Sequence, residues 1–281
     1  MKHKNKITGK IFLYIILIMV IGYYLIPILV MITTSLKPEE QVLTKTWEWI
    51  PRNFTIENYK TVFNKYPFSR WLLNSILVTI GTVLLTLFVS LPAGYAFARL
   101  RFRGKEILFV LSLLTIMIPF FSYIPQLYLL FFYMKLINTY VCLIIPLSTS
   151  AISLFLFRQF ISQIPKDIDD AAKIDGCGYW RTFFYIILPL TKPAISAVVI
   201  FTAIKSWNSL MWPLVAASND KIKTLPVGLA RDILGLPALT MHQPKYGMVM
   251  ASSLLATIIP ILVFLALQKY FVQGIATTGL K

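Results

Sequence analysis

Runs of apolar residues as long as a bilayer is thick constrain this chain before anything else does. The segment IFLYIILIMVIGYYLIPILVMITTS (11–35) carries no charged side chain over its whole length. Roughly 20 apolar residues at about 1.5 Å each span the hydrocarbon core. In that core every backbone N–H and C=O must be bonded within the chain, which leaves helices as the economical solution. Segments of this kind lie at about 11–35, 71–98, 107–131, 139–160, 190–215 and 247–271. They predict an all-α, polytopic membrane protein with about six transmembrane helices. The fifth segment is interrupted by Lys205, Trp207 and Asn208. Composition agrees: 57% of the residues are hydrophobic and 14% charged, where soluble domains average about 45–50% apolar and about 25% charged.

The net charge of +16 comes from 27 Lys and Arg against 11 Asp and Glu. Because the basic residues sit in short segments between apolar runs, they read as topology signals and partners of anionic lipid headgroups, not as a nucleic-acid surface. Lys2, Lys4, Lys6 and Lys10 precede the first span, and Arg99, Arg101, Arg103 and Lys105 follow the second. Arg158, Lys166, Lys173, Arg181 and Lys192 mark the loop between the fourth and fifth. With these on the cytoplasmic side, both termini are cytoplasmic and 36–70, 132–138 and 216–246 lie outside. The first apolar run exceeds the 7–15 residues or so of a cleaved signal sequence and lacks a prompt small-x-small site, so it is read as an uncleaved span. The first outer segment reads as a folded cap, with turn signals at Ile50-Pro51 and Tyr66-Pro67. Trp47, Trp49 and Trp71 fit aromatic anchors at the membrane surface.

Several chemistries have no residues to carry them. No Gly-x-x-x-x-Gly-Lys-Ser/Thr run occurs to cradle a phosphate, and neither Gly-x-Ser-x-Gly nor His-Glu-x-x-His is present. The two cysteines, Cys142 and Cys177, sit in different surroundings, and the two histidines, His3 and His242, are isolated, so neither a disulfide framework nor a metal site is expected. Lys205 is the one convincing ionisable group inside a span, fewer than an ion-coupled transporter would show. The body is therefore a conduit, a scaffold, or one part of a machine whose energy source lies elsewhere. No enzyme activity and no cofactor on this chain are expected.

The stretch DDAAKIDGCGYWRTFFYIILP (169–189) is too polar to cross a bilayer and too patterned for an idle linker. Pro165 suits a first helical turn, and Asp167, Asp169 and Asp170 favour the positive end of a helix. Ile164, Ile168, Ala171, Ala172 and Asp175 fall at helical spacing on one side, where the alanines permit close approach of another surface. Gly176 tolerates the left-handed conformation that ends a helix. A second segment, from Tyr179 to Pro189, starts polar and becomes apolar. The expectation is a helix–turn–helix at the cytoplasmic surface.

Asp170-Ala171-Ala172-x-x-Asp175-Gly176-Cys177, followed at the right distance by Ile186-Ile187-Leu188-Pro189, resembles the EAA loop of ABC-importer permeases. Asp170 stands where that family usually has Glu, and Cys177 where it has a small Ala or Ser. RWLLNSILVTIGT (70–82), AGYAFARLRFRGKE (93–106), IKSWNSLMWPL (204–214), KTLPVGL (223–229) and FVQGIATTGLK (271–281) extend the resemblance to the smaller maltose-type permease of carbohydrate importers. Ser209 occupies a position where the family often has an acid, and the tail departs from Gly-Ala-Val-Lys-Gly.

This resemblance implies a permease core over 71–272 with its coupling loop at 162–189. A first span with its outer loop would occupy 1–70 and a cytoplasmic tail 273–281. It implies that Asp170, Ala171, Ala172, Asp175, Gly176, Cys177, Leu188 and Pro189 engage an ATP-binding subunit, where ATP and Mg are held. It further implies a second homologous permease chain in a heterodimer, two ATP-binding subunits and an extracytoplasmic solute-binding protein, with a sugar as cargo. Lys205, Trp207, Asn208 and Ser209 are candidates for the solute pathway, as a cation, an aromatic face and hydrogen-bonding groups in one half of a span. Lys205 snorkelling to the surface and Trp207 packing between helices are the competing readings. Another small solute such as glycerol phosphate, or a membrane scaffold without transport, are the alternatives for the whole chain.

Overall fold

The computed structural model describes residues 2–43, 48–235 and 245–278. Trp47, His242, part of the 216–246 segment and the last three residues of the tail lie outside them. Among the described residues every regular element is helical. Three helices are individually long and apolar enough to cross a membrane: Phe12–Ser35 within α1 (Lys2–Ser35), α3 (Phe68–Arg99), and Tyr246–Ala266 within α12 (Tyr246–Thr278). Between α1 and α3 lies the short α2 (Glu57–Lys65), with Glu57 in its first turn and Lys65 in its last, matching the helix dipole.

The remaining spans are bent pairs. Helices α4 (Lys105–Met117) and α5 (Phe120–Tyr133) meet at 102°, α6 (Tyr140–Ser148) and α7 (Ala151–Gln163) at 48°, and α9 (Tyr179–Leu190) and α10 (Lys192–Trp207) at 74°. Counting each pair once gives six spans. The first break has a direct cause: Pro119 drives the preceding Ile118 into an extended conformation, ψ 114°. Pro125 lies inside α5 without interrupting it, and the break after Pro146 comes at Thr149, with Ser150 accepting from the Ser153 N–H to open α7. The fifth segment also differs from its expected 190–215. α10 ends at Trp207, α9 supplies its other half, and Met211–Ala216 is a separate short helix, α11. The polar Ser206–Ser209 interruption is where the chain stops being helical.

The chain divides into two compact units, Met1–Phe68 with Leu229–Thr257, and Ser69–Gly228 with Ile258–Lys281. In the first unit, Glu39 receives hydrogen bonds from the Tyr246 and Gly247 N–H groups (2.7 and 3.1 Å), so a distant carboxylate caps α12. Asn58 donates to the Ser35 and Lys37 carbonyls (2.9 and 2.8 Å) and its amide lies against Gly247, where a Cβ would come within 2.8 Å of Nδ2. The segment between α1 and α3 is held to α12 and to the end of α1 by these hydrogen bonds.

In the second unit α3 is the central post, with a core cluster at each end. Near Val78 it packs on Phe131, Cys142, Leu143, Leu147 and Trp212. Near Leu91 and Tyr95 it packs on Phe157 and Ile161 of α7, Phe183 and Ile187 of α9, and Ala194 and Val198 of α10. Thirteen residues separate Val78 from Leu91, about 20 Å along a helix. Between them the buried face of α3 carries small groups: Thr82, Thr86 and Ser90 are all buried, and Thr86 donates to the Ser148 carbonyl (3.0 Å). At Gly94 an added Cβ would lie 2.5 Å from Phe157 Cβ, so the backbones of α3 and α7 touch because no side chain intervenes.

At the Phe68 end, the fully buried Asn74 donates to the Lys221 and Lys223 carbonyls (3.0 and 2.8 Å) and accepts from Tyr140 (2.7 Å). Trp71, expected at the membrane surface, is buried instead, its ring seated on Gly228 where a Cβ would overlap it. Trp49 is exposed.

Candidate functional site

The hairpin expected at 162–189 is present at the Arg99 end of α3. Its first arm is α8 (Lys166–Ile174), preceded by Pro165 in an extended conformation (φ −53°, ψ 137°) that makes it the cap residue, one position earlier than expected. Asp167 and Asp169 lie in the first turn and Lys173 in the last, each complementing the helix dipole. The stop is a double hydrogen bond. Cys177 N–H returns to the Ala172 carbonyl (2.8 Å) and Gly176 N–H to that of Lys173 (3.0 Å), with Gly176 at φ +74°. This six-to-one, five-to-two pattern needs a left-handed residue, which glycine adopts without a Cβ clash.

The two alanines do different jobs. Ala172 is 3% exposed and faces the body with the half-buried Ile168, whereas Ala171 and Asp175 are exposed. Sequence spacing put all of them on one side; the structure divides them, because positions one residue apart are about 100° apart around a helix. The outward surface is Asp170, Ala171, Ile174, Asp175 and Gly176, and Ile174 is 87% exposed. Sequence reasoning did not single out this bare isoleucine on a polar helix. Asp170 accepts from Lys173 at 2.9 Å. That hydrogen bond first, and the partner's opposite charge second, hold the carboxyl below its ordinary range and raise the lysine above its own.

The second arm, α9, opens with Tyr179 and Trp180 exposed and passes through a π-helical turn at Phe183–Ile187. The wider turn carries Phe183 and Ile187 inward, with Phe183 against Tyr95 of α3 (ring centroids 5.2 Å). Trp180, Phe184 and Tyr185 stay outside, Trp180 and Phe184 stacked at 6.0 Å. Cys177 and Leu188 are half-buried and Pro189 is exposed. The buried Thr191 hydroxyl donates to the Ile187 carbonyl (2.6 Å) at the 74° bend.

Of the candidates for the solute pathway, Lys205 and Asn208 are exposed, Ser209 is half-buried and Trp207 is buried. Trp207 lines an apolar cavity of about 140 Å³ with Ile76, Ile80, Ala203 and Pro260. Ser206 turns inward with its Oγ 3.4 Å from that of Thr82. The end of α10 thus does not gather Lys205, Trp207 and Asn208 onto one polar surface of this chain.

Comparison with known proteins places this geometry. Residues 90–277, which contain the hairpin, match the family described as "Binding-protein-dependent transport system inner membrane component". The chain is 34% identical over 261 residues to the arabinooligosaccharides transport system permease protein AraQ of Bacillus subtilis (strain 168), covering 92% of this chain and 91% of that one. It is 31% identical over 278 residues to the sn-glycerol-3-phosphate transport system permease protein UgpE of Salmonella typhi, covering 97% and 98%. Its fold matches a chain from the crystal structure of a bacterial ABC transporter involved in the import of the acidic polysaccharide alginate, with a TM-score of 0.80 over 94% of this chain and 98% of that one, at 22% identity. The chain is a multi-pass membrane protein that belongs to the family of inner membrane components of binding-protein-dependent transport systems.

Proposed function

We propose that this chain is one membrane-spanning half of an ATP-driven sugar importer, and that the α8–α9 hairpin is where it receives force from an ATP-binding subunit. The single observation that carries the reading is the hairpin's division of faces. Phe183 and Ile187 bind it to the core that holds α3, α7 and α10 and Ala172 is buried, while Asp170, Ala171 and the bare Ile174 are presented outward. A lever needs both a rigid attachment and an accessible handle. In this reading the hairpin and both termini are cytoplasmic. A second permease chain completes the conduit, two ATP-binding subunits hold ATP and Mg, and an external solute-binding protein delivers the cargo. Closure of the ATP-binding pair moves the hairpins and shifts the conduit between inward-open and outward-open states. A ligand drives such a shift only through contacts that differ between the two states.

An oligosaccharide is the favoured cargo, supported by the relative whose name assigns arabinooligosaccharides. Glycerol phosphate is the second reading, favoured by the near-complete coverage of the UgpE relative and by the exposed Lys205, a cation suited to a phosphate. Reconstitution with the partner subunits in proteoliposomes tests both. ATP-dependent uptake of radiolabelled arabinotriose with none of glycerol 3-phosphate supports the sugar reading, and the converse supports the second. Lys205→Ala and Asn208→Ala are expected to reduce uptake; unchanged affinity and rate in both would remove these residues from the pathway.

A further inference from the structure

Two adjacent acids on α8 have different surroundings, and the inward one has a partner that no motif assigns. Asp169 Oδ2 lies 3.0 Å from Nε of Arg99, the last residue of α3. The same guanidinium donates from Nη2 to the Ile164 carbonyl at 2.6 Å. Ile164 terminates α7, so that carbonyl is one of those a helix end leaves without an intrahelical donor. The Arg99 side chain is 7% exposed and that of Asp169 14%, whereas the neighbouring Asp170–Lys173 pair is open to solvent. One guanidinium therefore joins the ends of α3 and α7 to the first turn of α8, by a hydrogen bond to Ile164 and a buried ion pair to Asp169. A lysine ammonium, a point charge on a flexible stem, would not hold both contacts from one rigid plane.

We infer that Arg99 and Asp169 are positioning residues that pin the hairpin to α3, so that a displacement imposed on the outward face of α8 moves the central post of the conduit. The inference rests on the coupling reading above and adds the joint through which force passes. Apolar contact alone, as between Tyr95 and Phe183, is non-directional and permits sliding. A buried ion pair and a hydrogen bond made by the same rigid guanidinium fix the distances between the three helix ends. The pin also separates the roles of the two acids: Asp170 is left to meet the partner and Asp169 holds the lever to its shaft.

The test uses the full transporter assembled with its ATP-binding subunits, followed by hydrogen exchange with and without ATP, Mg and orthovanadate. In wild type, trapping changes exchange both in the hairpin, 162–189, and in the last turns of α3, 91–99. Asp169→Asn is expected to keep the response in the hairpin and lose it in α3, and Asp169→Glu, which keeps the charge and leaves the Arg99–Ile164 hydrogen bond in place, to retain it. A purely structural contact would raise basal exchange in both segments and leave the nucleotide response of α3 intact, which overturns the inference. If Asp169→Asn gives no assembled complex, Arg99→Lys carries the same prediction, since it retains the charge but not the second contact. Absence of any nucleotide response in the wild-type hairpin would sink the coupling reading itself, a different outcome from loss confined to α3.

Discussion

Asp170 accepts a hydrogen bond from Lys173 at 2.9 Å on the solvent face of α8, three residues apart and with both side chains exposed. Where the family usually has Glu, the shorter Asp is held back by its own lysine. Engagement of an external cation must therefore compete with Lys173. Asp170→Asn is expected to weaken retention of the ATP-binding subunit roughly tenfold, as loss of a charged hydrogen-bond partner does. Lys173→Met should strengthen retention, and both effects should shrink at high salt. Equal retention by all three chains would remove Asp170 from the contact.

The same pair sets a pH window. The Asp170 carboxyl is depressed, so its contribution to the hairpin is present above the ordinary aspartate range and is lost as pH falls through the lowered value. The Lys173 ammonium is raised, so its contribution is present below the ordinary lysine range and is lost as pH rises through the higher value. Retention of the partner through Asp170 should accordingly be level across neutral pH and fall only at the acid end, measured by pull-down across a pH series. A drop centred near neutrality would contradict this assignment.

Ala171 and Ala172 are neighbours with opposite surroundings, and substitution should separate them. Ala171→Trp is expected to leave the chain inserted and thermally unchanged but to abolish ATP-driven uptake, by blocking approach to the exposed face. Ala172→Trp forces an indole into a position that is 3% exposed, which costs about 1–3 kcal/mol or more by overpacking and should lower the melting temperature of the detergent-solubilised chain. The reverse ordering would mean the faces are assigned wrongly.

Much of this was legible from sequence, and the exceptions have physical reasons. Six spans follow from apolar length, and the stop at Gly176 follows from glycine's freedom at φ +74°. The orientation of α8 did not follow, because its two alanines are chemically identical and only packing tells them apart. Arg99 was counted among the basic residues that set topology, a role for which any cation would serve; its contacts with Asp169 and Ile164 depend on where three helix ends meet. Trp71 read as a surface anchor because tryptophan favours interfaces, yet Gly228 opens a seat for it inside the chain. The 102° break at Pro119 has the proline's effect on Ile118 as its cause, but a proline alone does not set the size of a bend.

Close backbone approach at Gly94 gives a stability prediction. A Cβ there would meet Phe157 Cβ at 2.5 Å and the Arg158 backbone nitrogen at 3.1 Å, atoms that cannot move without moving α7. At Gly81 the nearest atom, 2.6 Å away, is the tip of the flexible Ile144 side chain. Gly94→Ala should destabilise by about 1–3 kcal/mol and Gly81→Ala by less, read as the difference in melting temperature. Equal shifts would contradict the close α3–α7 packing.

The cap that Glu39 places on α12 predicts a local effect. Glu39→Gln keeps the shape but removes the charge from the helix N-terminus, at a cost of about 0.5–2 kcal/mol. Amide exchange at Tyr246 and Gly247 should accelerate while exchange in α8 is unchanged. No change at those two amides would remove the cap.

The most direct test of the central claim is thiol cross-linking in the assembled transporter, using a chain with Cys142→Ser and Cys177→Ala. Single cysteines are placed in turn at Ala171, Ile174 and Ala172, and treated with a short homobifunctional thiol reagent against a cysteine series on the ATP-binding subunit. The account predicts cross-links from Ala171→Cys and Ile174→Cys that change in yield when ATP is added, and none from Ala172→Cys. Cross-links from none of the three, or equally from all three and indifferent to ATP, would contradict it.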